Sequence, residues 1–303
     1  MISYKNNNYT VNLYSDGTKE RIFDETPNPF FPESIDCKIT NYCDAKCSFC
    51  HEESTIYGQH GDVDKLLSVL TELPAGIEIA IGGGSAQSHP QFNFFVESLA
   101  NAGLIPNLTI NQKHLGQDFD KLKDLIVNKK IYGVGISYNS SSYIEDIKKY
   151  LEISDNIVFH FILGINKLED IDYLNNVCLS MGKKCKILFL GYKHFGFGIN
   201  YYVKNSNIES NKKKWYQHLG KYFSNQNLVI SFDNLAIDQL NVKRFFTKEG
   251  WDIFYMGDEF THSMYIDGVN QQYAPTSTES KTNRVSFDEM TLINYFNKYR
   301  KRI

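Results

Sequence analysis

The chain has 303 residues, a formal net charge of −3, 42% hydrophobic residues and 22% charged residues. This length allows one large domain or a main domain with an appendage, and the composition is that of a folded, water-soluble protein. The weak net charge excludes a general field favouring nucleic acid or anionic membranes. No apolar run approaches the ~20 residues of a membrane helix. Residues 1–10 lack the apolar core of a secretion signal, so we expect a cytoplasmic protein that does not engage membranes.

The first 33 residues are predicted to form a β-hairpin ahead of the main body. Residues 9–14 alternate apolar and polar side chains, which is typical of a half-buried strand. Asp16 and Gly17 follow, a pair that favours the tight turn of a hairpin. The return strand is expected near residues 20–23, and a proline-rich stretch separates it from the rest of the chain. Residues 1–33 are therefore predicted to be an N-terminal β-hairpin extension.

Short apolar strands alternate with amphipathic helical patterns from residue 34 onward. Apolar residues at helical spacing in 63–70 and 92–99 predict two of the helices. We place six strands at residues 34–40, 77–81, 108–111, 133–137, 157–163 and 187–190. Repeated βα units build a parallel sheet, and six are too few for a closed eight-stranded barrel. The predicted fold is therefore α/β, an open partial (β/α)6 barrel over residues 34–203 with a small C-terminal α+β cap over 204–303.

Three of the six cysteines lie within eight residues, at Cys43, Cys47 and Cys50. In a reducing compartment such spacing indicates a metal site or catalysis rather than disulfides. Thiolates suit iron–sulfur clusters, and three ligands leave one iron open, as a catalytic metal requires. Three alternatives compete: a zinc site that recruits His51 or Cys37, a structural cluster with a fourth ligand from elsewhere, and a chance group of free thiols. The cysteine spacing alone does not separate these.

The cysteine loop resembles the signature of the radical S-adenosylmethionine (radical SAM) superfamily. The likeness includes the C-x3-C-x2-C spacing after the first barrel strand and Phe49 just before the third cysteine. A second segment, at the end of the second strand, is similar to the family's glycine-rich motif, which holds the amino group of SAM, and comprises Gly82, Gly83, Gly84 and Ser85. Glycines let backbone carbonyls approach an ammonium group closely. The family usually carries an acidic residue where this chain has Ser85.

The resemblance implies further SAM contacts at the ends of the later strands. Asn111 and Ser137, at the ends of the third and fourth strands, would contact the ribose or carboxylate of SAM. Gly164 follows the fifth strand, in a segment similar to the one that packs the adenine ring. Tyr192 follows the sixth strand, where backbone groups would read the adenine edge. The alternative for each of these is an ordinary strand-end residue.

The resemblance also implies the chemistry. One 4Fe-4S cluster on three cysteines and SAM would be the cofactors. Reductive cleavage of SAM would give a 5′-deoxyadenosyl radical that abstracts hydrogen from the substrate, with a small flavodoxin- or ferredoxin-like protein as electron donor. Residues 263–273 are predicted to form a hairpin-like segment. A peptide or protein substrate is expected first, because residues 264–275 are similar to a hairpin of peptide-modifying relatives, with Ala274 where a cysteine would be expected. The alternatives are activation of a glycyl-radical enzyme, modification of a nucleoside or RNA base, and a non-enzymatic zinc-binding interaction domain.

The substrate and the catalytic residues are left open by the sequence. His51, Glu52 and Glu53 follow the last cysteine directly, where they would bear on substrate or cluster or begin a helix with an acidic pair, and we favour the helix start. His160 lies in the middle of the fifth strand and is expected to point into the barrel lumen. Cys178 is predicted to be a buried free thiol on the apolar face of a helix.

Overall fold

The structure, a computed structural model, describes residues 1–302. Strands β1 to β13 span Ile2–Asn6, Tyr9–Leu13, Lys19–Ile22, Ser34–Thr40, Glu78–Gly83, Ile105–Asn111, Gly133–Ser137, Ile157–Ile162, Cys185–Leu190, Leu228–Phe232, Ser263–Asp267, Gln272–Ala274 and Val285–Ser286. Helices α1 to α10 span Val63–Leu70, Phe92–Asn101, Leu115–Val127, Ile144–Ile153, Glu169–Ser180, Phe197–Lys204, Asn207–His218, Asn234–Leu240, Lys248–Phe254 and Leu292–Tyr299. None of the described helices is both long and apolar enough to cross a bilayer.

The main sheet has ten strands in the order β10-β9-β8-β7-β6-β5-β4-β11-β12-β13. Every neighbouring pair from β10 across to β11 is parallel, and β12 and β13 complete one edge in antiparallel register. The six predicted barrel strands are β4 to β9, so the partial barrel is confirmed. Strands β10 and β11 flank these six. The parallel part of the sheet, which forms the wall of the barrel, is therefore one strand wider at each edge than predicted. The division at residues 33/34 and 203/204 stays a prediction, although the third segment supplies four strands of this sheet.

Side chains along β4 show how the wall separates a core from a lumen. Ile35, Cys37 and Ile39 are at most 1% exposed and belong to the apolar core shared with helix α1. Asp36 and Lys38 alternate with them and point to the opposite side, because successive side chains of a strand face opposite ways. Both line the cavity inside the barrel. The strand is thus apolar towards the helices and charged towards the lumen.

The N-terminal segment forms a three-stranded antiparallel sheet that contacts the N-terminal end of the barrel. The predicted hairpin is β2 and β3, and β1 adds a strand that the sequence pattern did not predict. The Tyr132 hydroxyl donates to the Tyr14 carbonyl at 2.5 Å, and Lys186 Nζ donates to the Asp16 carbonyl at 2.7 Å. Tyr132 precedes β7 and Lys186 opens β9. The hairpin turn therefore lies against the strand ends opposite the cysteine loop.

A buried carboxylate, Glu33, ties the small sheet to the main body. Its side chain is 1% exposed and accepts from the Tyr9 hydroxyl at 2.6 Å and from Arg21 Nε at 2.8 Å. His262 Nδ1 lies 3.3 Å away. Burial alone would raise the pKa of Glu33, but the contacts to His262 and Arg21 outweigh it and hold this pKa far below its usual range. The carboxylate is thus ionised in the folded protein.

Candidate active site

The cysteine loop follows β4 and brings three thiols together at the barrel mouth. Cys43, Cys47 and Cys50 are all partly exposed, and all line the cavity. The loop is closed by hydrogen bonds from the Cys43 N–H to the Thr55 carbonyl at 2.9 Å and from the Cys50 N–H to the Cys47 carbonyl at 3.2 Å. Lys46 has a positive φ of 54°, which lets the chain turn between the first two cysteines. The predicted metal ligands therefore share one short loop on one wall of the cavity.

The pKa values of two loop thiols, Cys43 and Cys47, indicate that they would carry their negative charge only beside a positive group such as a metal centre. Burial, followed by the neighbouring Cys47 and Cys50, raises the pKa of Cys43, so the three sulfurs sense one another. Burial also raises the pKa of Cys47, and the charge of Lys113 and a hydrogen bond from Asn111 oppose this rise. Asn111 Nδ2 lies 3.4 Å from Cys47 Sγ. Three converging soft donors beside an open cavity suit an iron–sulfur cluster with one exposed iron.

The two residues considered as a fourth zinc ligand are directed away from the loop thiols. Residues 1–302 contain no group of three or more His, Cys, Asp or Glu side chains arranged to hold one metal ion. His51, the candidate fourth zinc ligand, turns its Nε2 towards Lys193 and Glu52, at 3.4 and 3.5 Å. Cys37, the other candidate, is 1% exposed and faces the outer core. Neither of the extra ligands considered for zinc contacts the loop thiols.

The glycine-rich segment at the end of β5 docks directly onto the chain that leads into the cysteine loop. The Gly84 N–H donates to the Thr40 carbonyl, and the Ser85 N–H donates to the Tyr42 carbonyl, both at 2.7 Å. A Cβ on Gly84 would lie 2.1 Å from the Tyr42 oxygen, so only glycine fits there. Gly82 differs, because a Cβ there would have no neighbour nearer than 4.0 Å and would project into the cavity. Gly84 thus joins two segments, and Gly82 leaves room for a ligand.

Ser85 does not face the cavity. It is 2% exposed, and its Oγ accepts from Gln87 Nε2 at 2.9 Å and lies 3.3 Å from His114 Nδ1. The other ring nitrogen of His114 is 2.7 Å from Asp44 Oδ1, inside the cysteine loop. The expected hydroxyl contact to the amino group of SAM therefore has no support in this geometry. His114, which connects the glycine segment to the cysteine loop, was not predicted from the sequence.

One cavity of about 670 Å³ runs through the barrel from the cysteine loop to the hairpin turn. This volume lies in the range of small-molecule sites, roughly 300 to 1,000 Å³. Seven predicted SAM contacts line it, namely Phe49, Gly82, Gly83, Gly84, Asn111, Ser137 and Tyr192. Ser85 and Gly164 do not. A Cβ on Gly164 would lie 2.6 Å from Ile208, so this glycine serves a close approach to helix α7.

A buried ionic network holds the residues that follow the third cysteine. Lys38 Nζ lies 3.1 Å from Glu52 Oε2 and 3.0 Å from Asp267 Oδ2, and Arg284 Nη1 lies 2.8 Å from the same Asp267 oxygen. The Tyr265 hydroxyl donates to Glu52 Oε1 at 3.1 Å. The expected helix start at residues 51–53 is wrong, because the first helix begins at residue 63. Glu52 instead links the cysteine loop to β4 and β11.

Several titratable groups line the cavity between the mouth and the interior of the lumen. His160 faces inward as predicted, and its ring packs on Gly135, where a Cβ would lie 2.4 Å away. Burial lowers the pKa of His160 to about 4, so the ring is neutral at physiological pH. Asp36, Lys193 and Asp233 line the same cavity. The sequence did not single out these three, although a charged residue between the apolar residues of β4 was a usable signal.

The comparisons with known proteins identify the fold. No protein-family model and no curated protein matches the chain. Solved structures do match, and they confirm that the fold is that of the radical SAM partial barrel expected from the sequence. They are structures of SuiB from Streptococcus suis. The structure bound to S-adenosylmethionine has a TM-score of 0.63 at 12% identity, over 88% of this chain and 66% of that one.

Two further SuiB structures give the same result. The one bound to the precursor peptide SuiA has a TM-score of 0.62 at 12% identity, over 88% of this chain and 65% of that one. The third, described as SuiB alone, has a TM-score of 0.58 at 12% identity, over 88% and 66%. This chain therefore spans about two thirds of the length of SuiB. At 12% sequence identity, the structural similarity to SuiB establishes the fold alone.

Proposed function

We propose that the chain is a radical SAM enzyme that holds one 4Fe-4S cluster on Cys43, Cys47 and Cys50. The observation that carries the proposal is the shared position of the cysteine loop and the glycine-rich segment. Two backbone hydrogen bonds of 2.7 Å join the glycine segment to the chain just ahead of the loop, and both border one cavity. In barrels of parallel strands, ligands bind at this carboxyl end of the strands. The likeness to SuiB bound to SAM supports the same conclusion.

The chain's own residues would position the cofactors. The three thiolates would hold the cluster and leave one iron free for the amino and carboxylate groups of SAM. Bound together, cluster and SAM supply a 5′-deoxyadenosyl radical by reductive cleavage, and this radical abstracts hydrogen from the substrate. Gly82 leaves space and backbone carbonyls for the methionine end, while Asn111 would orient Cys47 through its amide. The barrel wall would keep water from the radical. A flavodoxin- or ferredoxin-like protein would supply the electron.

We further propose a peptide or protein as substrate. SuiB, which shares the fold, has been solved with a precursor peptide bound. In this chain the cavity continues past the cofactor residues into the lumen, where Asp36 and His160 line it. Such a lumen would admit a single side chain of a longer substrate. A globular partner would remain outside the barrel.

The test is anaerobic reconstitution followed by measurement of iron, sulfide and zinc, and then of 5′-deoxyadenosine after addition of SAM and dithionite. The wild-type protein should bind about four irons per chain and release 5′-deoxyadenosine. Cys43→Ala, Cys47→Ala and Cys50→Ala should each lose both properties. Cys178→Ala is the matched control, since Cys178 is buried in helix α5 and should not affect iron. Stoichiometric zinc without SAM cleavage would refute the proposal in favour of a zinc-binding protein.

A further inference from the structure

Asp36 stands out among the charged groups of the lumen because its carboxylate has no partner. It is the third residue of β4, and its side chain is exposed to the cavity. No hydrogen bond or ion pair to Asp36 forms within residues 1–302. Its surroundings raise its pKa, mainly through burial inside the barrel and further through the charges of Asp233 and Glu52, while Lys193 opposes the rise. A carboxylate that faces a cavity without a counter-ion is available to pair with a cationic group that enters the cavity.

The nearby acidic groups are already occupied. Glu52 accepts from Lys38 and Tyr265 in the ionic network described above. Asp233 caps helix α8, accepting from the Ala236 N–H at 2.6 Å and from the Gly191 N–H at 2.9 Å. Both carboxylates are therefore engaged in hydrogen bonds or ion pairs that stabilise the fold. Asp36 makes no such contact.

Strand register places Asp36 below the proposed cofactor site. Lys38 pairs with Gly82, and Asp36 pairs with Ala80, one side-chain layer closer to the N-terminal end of the strands. Two residues along a strand correspond to about 6.6 Å. Beside Asp36 lie the small Ala80 on one strand and Tyr265 on the other, whose hydroxyl donates to Glu52. Lys38, one layer higher on β4, is engaged with Glu52 and Asp267. Asp36, Ala80 and Gly82 line one continuous cavity, so the carboxylate is open to the SAM level.

Lys193 provides the complementary feature, on the chain that follows β9. Its Nζ contacts Ser277 Oγ at 2.9 Å and the ring of His51 at 3.4 Å, and no carboxylate of residues 1–302 lies within ion-pair distance. The lumen thus holds one free anion below and one free cation nearer the mouth.

We propose that the substrate inserts a positively charged side chain, an ammonium or guanidinium, into the lumen, where it forms an ion pair with Asp36. Lys193 then donates to a carbonyl of the substrate backbone closer to the mouth. This arrangement holds the carbon atoms of the side chain between the two anchors, next to the cofactor level. It rests on the proposed function and names the substrate class of that site. Asp36 is here a substrate-binding and specificity residue.

Acetylated tripeptide amides with lysine, glutamine or glutamate in the centre are suitable probes. Their binding to the reconstituted protein with SAM is measured by saturation-transfer NMR at millimolar concentration. The lysine peptide should bind at least about tenfold more tightly than the other two, and Asp36→Asn should remove this preference. Asp64→Asn, an exposed change in helix α1, is the matched control and should bind like the wild type.

A second readout separates this proposal from the proposed function. Release of 5′-deoxyadenosine without peptide is measured in the wild type and in the Asp64→Asn control, and the two should agree because Asp64 lies on the exposed face of helix α1. Equal binding of the three peptides, no binding of any, or an unchanged preference in Asp36→Asn would each overturn the proposal. Loss of SAM cleavage in the wild type would instead overturn the proposed function, and the peptide preference is measured independently of it.

Discussion

Replacement of Asp267 by asparagine should destabilise the protein, because this carboxylate neutralises two buried cations. Asp267 is 0% exposed and lies 3.0 Å from Lys38 Nζ and 2.8 Å from Arg284 Nη1. Asparagine keeps the side-chain volume and an oxygen for the N–H groups of Val269 and Asn270, which Asp267 accepts at 3.1 Å. It carries no charge, however. Lys38 and Arg284 side chains are only 4% and 5% exposed, so water cannot replace the lost carboxylate.

The expected loss is about 3 kcal/mol in the free energy of unfolding, at the lower end of the range for a buried ion pair that loses one partner. The lower end applies because Lys38 keeps Glu52 at 3.1 Å. Arg284 keeps only the backbone carbonyls of Ser277 and Glu279 as hydrogen-bond acceptors among the described residues. At roughly 2 °C per kcal/mol for a chain of this size, the Tm should fall by about 6 °C.

The difference should depend on pH. Burial alone would raise the pKa of Asp267, but the charge of Lys38 and hydrogen bonds from Asn270 outweigh it and hold this pKa below its ordinary value. A carboxyl with a lower pKa in the folded state stabilises the protein above its unfolded pKa of about 3.9. That contribution disappears as the pH falls through the folded pKa. Wild type and Asp267→Asn should therefore differ fully at neutral pH and converge as the pH falls below about 4.

Urea unfolding followed by circular dichroism, at neutral pH and at a series of acidic pH values, measures both effects. Asp288→Asn is the matched control, because Asp288 forms an exposed pair with Lys65 at 3.3 Å, with side chains 76% and 49% exposed. Such a pair contributes at most about 1 kcal/mol. If Asp267→Asn lost no more stability than the control at neutral pH, the reasoning about the buried network would be refuted.

Four other perturbations test separate parts of the structure. Gly84→Ala places a methyl group 2.1 Å from the carbonyl oxygen of Tyr42, just before the cysteine loop. The free energy of unfolding in urea should therefore fall by about 1 to 3 kcal/mol, and the protein should retain less iron. Gly82→Ala, with its nearest contact at 4.0 Å, should fold and bind iron normally but bind SAM more weakly in calorimetry. Glu33→Gln should make the free energy of unfolding less dependent on pH in the acidic range, because the ionised carboxylate with its lowered pKa is lost. If the free energy of unfolding of this variant still fell with acid as steeply as that of the wild type, this role of Glu33 would be contradicted. Asn111→Leu removes the amide 3.4 Å from Cys47, and a redox titration should then show a more negative cluster potential, whereas an equal potential excludes that contact.

Local sequence patterns were sufficient for the barrel strands and the cysteine loop. Apolar runs such as 34–40 and 187–190 are buried on their outer face, and their burial makes them recognisable. Parallel connectivity then brings the chain after β4 next to the chain after β5, because both strands end at the same edge. The cysteine loop and Gly82 to Gly84 meet for this reason.

Long-range partners were not predictable in the same way. The segment at 263–273 was recognised as a hairpin, and β11 does pair with β12. Its parallel pairing with β4, more than 220 residues earlier, depends on which sheet edge is free, and no local pattern records that. The direction of the Ser85 side chain could not be predicted from the sequence either. It follows from the turn that Gly83 makes at φ 102°, which sends the hydroxyl towards His114.

The position of the hairpin turn has a consequence for the order of events in catalysis. Gly17 lines the cavity at the end opposite the cysteine loop, where the turn contacts Tyr132 and Lys186 beside the starts of β7 and β9. The turn therefore covers part of the lumen at the end opposite the cysteine loop. Under the proposed function, a substrate group that reaches Asp36 from the mouth has to pass the level at which SAM would bind. We therefore expect ordered binding, with the substrate before SAM, and release of the product after the spent cofactor.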